Sequence, residues 1–526
     1  MLITDILKEN VRRYGSEIAL IEREPDVGRR SELSWRQFND QANTLANFLI
    51  HSGVKKGDMV VQLMTNSLSW LPIYFGILKT GALAVPLNFR FYAEKIQLCA
   101  KTALPKVLIF GEEFIQRLES IKPSLDKSVS LYIYTGSNAT RPGWALLYDD
   151  LFLSPDAAEP EVRSTESDDA ALYFTSGTTG TPKAVLLTHE NLSFVCQVEN
   201  NHHGQTHEDN FLCIPPLYHT GAKMHWFGNF LVGAKSVLLK GVNPKWILEA
   251  VSEEKISIVW LLVPWAHDLL IAIENEELNL RDYQLNSWRL MHIGAQPVPP
   301  SLVKKWKAVF PGHAYDTNYG LTESTGPGCV HLGMDNEHKV GAIGKPGFEW
   351  EYAIVDGEMN PLPPGETGEL IVRGGGVMKA YYKNPEASKE TLVDGWLRTG
   401  DIARCDESGF IWLVDRKKDV IISGGENIYP VEIENFFMTH DHVQDVAIIG
   451  YPDERLGEIV AAVIMVKAGR SFTEAEAASF SKDLPRYKRP RKFFFGDVPR
   501  NPTGKIEKPK LRRHYIGRPE DIRKVL

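Results

Sequence analysis

The stretch Tyr173-Phe-Thr-Ser-Gly-Thr-Thr-Gly-Thr-Pro-Lys183 decides how this chain is read, because ordinary packing has no use for it. Thr175 to Lys183 supply five hydroxyls, two glycines, one proline and one lysine in nine residues. Apolar runs flank the stretch, Ala171-Leu-Tyr-Phe174 before it and Ala184-Val-Leu-Leu187 after it. Gly177 and Gly180 free the backbone to turn its N–H groups inward, and Thr175, Ser176, Thr178, Thr179 and Lys183 add donors and charge. That is the composition of a phosphate cradle. A hairpin turn without a ligand gains nothing from so many hydroxyls beside a lysine. The spacing Gly-x-x-Gly-x-Pro-Lys differs from the G-x-x-x-x-G-K-[ST] loop of common nucleotide triphosphatases.

Outward from the loop, helix and strand signals alternate through the first four hundred residues. Ser34 to Leu49 carries apolar residues three and four apart, as an amphipathic helix does, and Trp70 to Lys79 reads likewise. Met59–Met64, Lys106–Phe110, Phe211–Ile214, Ile258–Val263 and Arg289–Ile293 are buried-strand candidates. This is the α/β pattern of largely parallel sheets, whose ligands gather at the carboxyl ends of strands. Pro215-Pro216, Gly294 and Gly320 are the expected site loops. Past Pro361-Leu-Pro-Pro-Gly365 the texture turns β-rich, with strands at Glu369–Arg373 and Phe410–Val414. The expected architecture is a large, multi-subdomain N-terminal domain over 1–417 and a small, mobile α+β domain over 418–526.

At 526 residues, with 43% hydrophobic and 24% charged content, the chain reads as an ordinary globular protein. A net charge of −8 argues against general nucleic-acid binding. No apolar run approaches the ~18 residues of a membrane span. Five scattered cysteines without a C-x-x-C pair point to reduced thiols, so a cytoplasmic location is expected.

Further motifs follow at a distance. Asn318-Tyr-Gly-Leu-Thr-Glu323 offers a ring, a glycine and a carboxylate; Trp396-Leu-Arg-Thr-Gly-Asp401 ends in a second carboxylate. Asp415-Arg416 precede Ser423-Gly-Gly-Glu-Asn427, and Asn501-Pro-Thr-Gly-Lys505 closes the set. A ring to stack on adenine, a carboxylate for ribose hydroxyls and another for Mg²⁺ would serve ATP. In this order the motifs resemble the adenylate-forming superfamily of acyl- and aryl-CoA synthetases, luciferases and peptide-synthetase adenylation domains. The likeness runs nearly end to end.

The resemblance implies that Thr175 to Lys183, including Gly177, Thr179 and Gly180, wraps the β- and γ-phosphates. It implies that Gly294-Ala295-Gln296-Pro297 and Asn318-Tyr319-Gly320 with Thr322 line the adenine, and that Asp401 and Arg416 hold the ribose. Glu323 and Thr178 become Mg²⁺ ligands, and Lys505 reaches the carboxylate–α-phosphate junction during adenylation. Lys418 falls at the hinge of the small domain, and Ser423-Gly424-Gly425 border the pantetheine tunnel of coenzyme A. Met378-Lys-Ala-Tyr-Tyr382 departs from many relatives, which have glycine at Ala380.

His219 in Pro215-Pro-Leu-Tyr-His219 stands where amino-acid-activating relatives carry an aspartate. A histidine pairs poorly with an ammonium at neutral pH, so a CoA ligase is the expectation, with Tyr218 and His219 beside the acyl group. His219 and Thr178 join Lys505 and Glu323 as catalytic candidates. Gly320 replaces the tryptophan of acetate-specific relatives, which implies room for a larger acid. Met224, Trp226, Trp265, His292, Thr325 and His331 are the remaining substrate candidates. ATP, Mg²⁺ and coenzyme A are the expected cofactors, with a homodimer as one possible assembly. A medium-chain fatty or an aromatic or alicyclic acid fits best. Other acceptors, as in luciferases or carrier-protein loading, and a non-catalytic nucleotide-binding role are the alternatives.

Overall fold

The computed structural model describes residues 1–175, 182–294, 298–424, 426–500 and 505–517. It is an α/β protein whose chain divides into two compact units. One comprises Met1–Gly294, Val298–Glu351 and Val372–Leu397; the other comprises Ala295–Pro297, Tyr352–Ile371 and Arg398–Leu526.

Two large sheets organise the first unit. One runs Ala314–Asp316, Leu290–Gly294, Ile258–Leu262, Asn210–Cys213, Lys235–Leu239, Ile18–Glu24, Arg29–Ser34, and every described pairing is parallel except the last. The second has eight strands, with Met59–Leu63 paired in parallel to Leu83–Pro86 and Val107–Phe110. These strands are almost continuously apolar because both faces of such a sheet are covered. Each predicted buried strand appears to within a residue or two at its ends. The predicted helix after Ser34 is Trp35–His51, and it begins where Ser34 accepts from Gln37 N while Gln37 returns to the Ser34 backbone.

The apolar runs beside the hydroxyl-rich stretch form a hairpin. Asp169–Thr175 pairs antiparallel with Lys183–Thr188, with Thr175 opposite Lys183, and Ala380–Tyr381 adds to the outer edge. Gly320 needs a correction. It lies inside the strand Asn318–Leu321, paired antiparallel to Gly326–His331, rather than in a loop past a strand. A register shift between Tyr319 and Gly320 lets that hairpin bend there.

In the second unit an antiparallel strand pair, part of a five-stranded sheet, sets Asp401 opposite Arg416. A separate sheet carries Glu426–Ile428, Ile421–Ser423, Gly457–Val466 and Val443–Asp453, and Lys492–Phe495 runs parallel to Gly457–Val466. Strand alternation splits its apolar residues between two cores. Val446 and Ile448 pack against Ile433 and Phe437 of helix Pro430–Phe437, whereas Ala447 and Ile449 pack against Leu511 of helix Lys508–Ile516.

Candidate active site

In the first unit the hairpin delivers Lys183 to the end of its strand, with Nζ 4.6 Å from the centroid of the Tyr381 ring. The Tyr381 hydroxyl donates to Glu323 Oε1 at 2.8 Å. A cation, a ring and a carboxylate thus stand in line on three separate segments. Burial, followed by the neighbouring Glu323 charge, holds the Tyr381 phenol well above its ordinary value, so it stays a donor. Glu323 sits in the short turn Thr322–Ser324, closed by Thr325 with φ +63°. Met378 N donates to Glu323 O at 2.8 Å, and the Thr325 hydroxyl donates to Gly376 O, which fastens the Tyr381 segment to that turn. Asn191 Nδ2 donates to Gly375 O and Val377 O at 2.8 and 3.0 Å from the other side.

Sequence reasoning quoted Met378–Tyr382 only for Ala380 and missed Tyr381. The signal was weak, a tyrosine pair in a short strand. Ser176, Gly177, Thr178, Thr179 and Gly180 lie outside the described residues, as do Ala295, Gln296, Pro297 and Gly425. Gly294 ends its strand and Tyr319 is buried, four positions before Glu323.

Of the acyl-group candidates, His219 caps helix Thr220–Leu231, its Nδ1 accepting from Gly221 N at 3.1 Å. Tyr218 is buried edge-on to Phe89. Trp226 is fully buried against Phe38, Phe75 and Phe230, the surroundings of a core side chain. Trp265 lies half-buried in the first turn of helix Val263–Glu274. The Met224 side chain lies outside what is described.

His292 and His331 belong to a buried polar cluster that the sequence did not announce. His331 Nδ1 and His203 Nε2 lie 3.1 and 2.8 Å from Asp316 Oδ2. His225 Nε2 meets His292 Nε2 at 3.2 Å and Asn318 Nδ2 at 3.1 Å, and Asn318 Nδ2 also donates to Glu199 Oε1 at 3.1 Å. The one sequence cue was Glu199 and His203, four apart on one helix face.

The second unit holds the other predicted group. Arg416 Nε pairs with Asp401 Oδ1 at 2.6 Å, with the carboxylate buried and the guanidinium half-exposed. Gly400, with φ +69°, turns the strand before Asp401, and Asp401 N donates to Thr399 Oγ1 at 3.1 Å. Lys418 lies two residues after Arg416, its ammonium pushed below the usual range by burial first. Ser423 pairs with Glu426 and Gly457, and Gly424 takes φ +58°. Lys505 is exposed beside the bridge between Arg500 and Ile506. Two anchors hold that segment: Arg500 forks onto Asp445 at 2.7 Å through both contacts, and Lys508 Nζ meets Glu434 Oε1 at 2.9 Å.

Residues 7–382 match the family described as AMP-binding enzyme, and residues 432–505 match the AMP-binding enzyme C-terminal domain. The chain belongs to the AMP-binding, adenylate-forming enzymes, as an AMP-forming acid–CoA ligase. It is 31% identical to the long-chain-fatty-acid–CoA ligase FadD13 of Mycobacterium tuberculosis, covering 94% of this chain and 95% of that one. It is 33% identical to a feruloyl-CoA synthase of an Amycolatopsis species, over 92% and 94% of the two chains. Among solved structures, the anthranilate CoA ligase AuaEII in complex with anthranoyl-AMP matches with a TM-score of 0.87 and 28% identity, over 98% and 97%. ATP and coenzyme A are the substrates that membership implies. No helix among the described residues is long and apolar enough to cross a membrane.

Proposed function

We propose that this enzyme joins a medium-chain fatty, aromatic or alicyclic carboxylic acid to coenzyme A, through an acyl-adenylate formed from ATP. The observation that carries the reading is the alignment of Lys183, Tyr381 and Glu323, three polar side chains that packing alone would not gather. The acid attacks the α-phosphate and pyrophosphate leaves. Both reactants are anions, so charge stabilisation and alignment carry most of the catalysis. Lys183, with Thr175 and the residues up to Gly180, supplies positive charge and donors to the phosphates. Asp401 accepts from the ribose hydroxyls, with Arg416 fixing its carboxylate. Tyr319 and Gly320, with Asn318, Thr322 and 294–297, border the adenine.

Glu323 suits Mg²⁺, which takes one or two carboxylates and otherwise water and substrate phosphates. Tyr381 occupies Oε1 and orients the carboxylate; the bound ion would neutralise phosphate charge. Lys505 brings a cation to the reacting carboxylate, and the domain from 418 onward then turns about Lys418 so that the thiol enters past Ser423 and Gly424. The leaving adenylate needs access more than acid–base help.

Gly320 carries no side chain to close the acyl pocket. Relatives named for long-chain fatty acids, feruloyl-CoA and indoleacetate support an acid of that size. The test is a panel of fatty, aromatic and alicyclic acids with Mg-ATP, with and without coenzyme A, following pyrophosphate, AMP and thioester. Thioester with at least one acid is expected. AMP without thioester would favour another acceptor, and no pyrophosphate with any acid would end the reading.

A further inference from the structure

The buried cluster in the first unit carries a consequence that its hydrogen bonds decide. His225 Nδ1 lies 2.6 Å from Gly221 O, an acceptor only, so His225 holds its proton there. Its Nε2 accepts from Asn318 Nδ2 at 3.1 Å and so carries no proton of its own. His292 Nε2, 3.2 Å from that same atom, must then be the donor. Neutral His292 is left with a bare lone pair on Nδ1. That atom is fully buried and makes no hydrogen bond among the described residues, and it lies 4.0 Å from Asp316 Oδ2. A lone pair facing a carboxylate in the protein interior is unfavourable unless a donor or a cation lies between them.

We propose that His203, His292 and Asp316 bind a divalent transition-metal ion of the zinc class. Their ligand atoms all lie within 4.8 Å of one another. A tetrahedral ion with bonds of about 2.0–2.1 Å spaces its ligands roughly 3.3 Å apart. The Asp316 Oδ2 distances of 2.8 Å to His203 and 4.0 Å to His292 bracket that value. Imidazole with one carboxylate selects zinc, nickel, copper or iron over magnesium or calcium, which want oxygen.

The second ring nitrogen of His292 is braced as a metal-bound histidine requires. His203 Nδ1 lies 3.4 Å from Glu199 Oε2, His292 Nε2 donates to His225, and Asp316 Oδ1 accepts from Gly333 N at 2.8 Å. His203 Nε2 carries a proton to Asp316 in the free state, so binding displaces that proton to solvent. The ion would tie the end of helix His189–His203 to strands Leu290–Gly294 and Ala314–Asp316, two residues before the Asn318–Leu321 strand that leads to Glu323.

Because the site is closed, the ion must enter during folding. The full chain, made without an affinity tag of histidines, is refolded with Zn²⁺ or Co²⁺, dialysed, and assayed for metal by mass spectrometry and visible spectroscopy. About one ion per chain and the intense bands of tetrahedral Co²⁺ are expected, with at least a tenfold fall in metal content for His292→Ala. His338→Ala, an exposed histidine elsewhere, serves as the control and should retain the ion. Refolded wild-type protein with no stoichiometric metal overturns the proposal and leaves a proton on His292 as the cation. So does metal that persists unchanged in His292→Ala. Neither readout depends on activity, and the wild-type content and spectrum decide the matter even if His292→Ala fails to fold.

Discussion

Lys223 is the least expected side chain in the fold, and replacing it should stabilise the protein. It is fully buried in helix Thr220–Leu231, and its Nζ has no hydrogen-bond partner among the described residues. Three rings surround the ammonium instead: Tyr74 and Tyr173 at 4.2 Å each, and Trp70 at 5.6 Å. Ring faces attract a desolvated cation by about 2 kcal/mol at best, against a desolvation cost of several kcal/mol for an unpaired ion. Desolvation wins, and burial depresses the ammonium well below its ordinary value. The sign follows. The unfolded chain keeps this proton up to about pH 10.4, whereas the folded chain has lost it once the pH exceeds the depressed value. Between those limits stability rises with pH, by up to ~1.4 kcal/mol per unit from this residue alone. Lys223→Met keeps the volume and removes the ionisation. At pH 7 it should gain on the order of 1–4 kcal/mol, and the gain should shrink towards pH 10. Urea unfolding of both proteins at pH 7, 8 and 9 reads the difference, in which all shared titrations cancel. A variant less stable than wild type at pH 7, or a difference that does not change with pH, would refute the reasoning.

Lys505→Ala should slow adenylate formation by roughly 10²-fold or more while thioester formation from preformed adenylate survives; equal loss in both half-reactions removes Lys505 from its role. Tyr381→Phe keeps the ring beneath Lys183 but deletes the donor to Glu323, and should cut the adenylation rate about tenfold, a charged hydrogen bond's worth, with thioesterification again spared. Asp415, pushed up to about 6 by burial against the opposing Lys508 charge, binds its proton more tightly folded than unfolded. Its contribution is therefore lost as pH rises from about 4 to 6, by up to ~3 kcal/mol, and the stability of wild type relative to Asp415→Asn should fall across that window in a pH series of urea melts; a flat difference would mean that Asp415 does not titrate there.

The strands and first helices were legible because their cause is local. Met59–Leu63 and Ile258–Leu262 are apolar at nearly every position since both faces are covered, and Ser34 with Gln37 writes its helix start into four residues. The charged candidates stand out for another reason: Lys183 follows a proline directly, and Asp401 and Lys505 each follow a glycine. Glu323 lies three positions after Gly320. Gly320 shows the limit of that signal, since a glycine reads as a loop and here marks a bend inside a strand.

What stayed hidden depends on contacts between residues far apart in the chain. Tyr381 is a dull residue until a strand of two residues sets it across from Val185, and only then does its hydroxyl reach Glu323, 58 positions earlier. The histidine cluster is hidden more deeply still. Its histidines and Asp316 come from two helices and three strands, and Asp316 meets His203 across 113 positions. No window of sequence holds them together. Nor does residue type alone separate a satisfied core histidine from a ligand. The separation comes from the protons round the cluster: His225 fixes His292, and His292 is left with an unshared pair that faces a carboxylate. Such an argument needs the fold first, because a tautomer is set by a neighbour and the sequence does not say which neighbour that is.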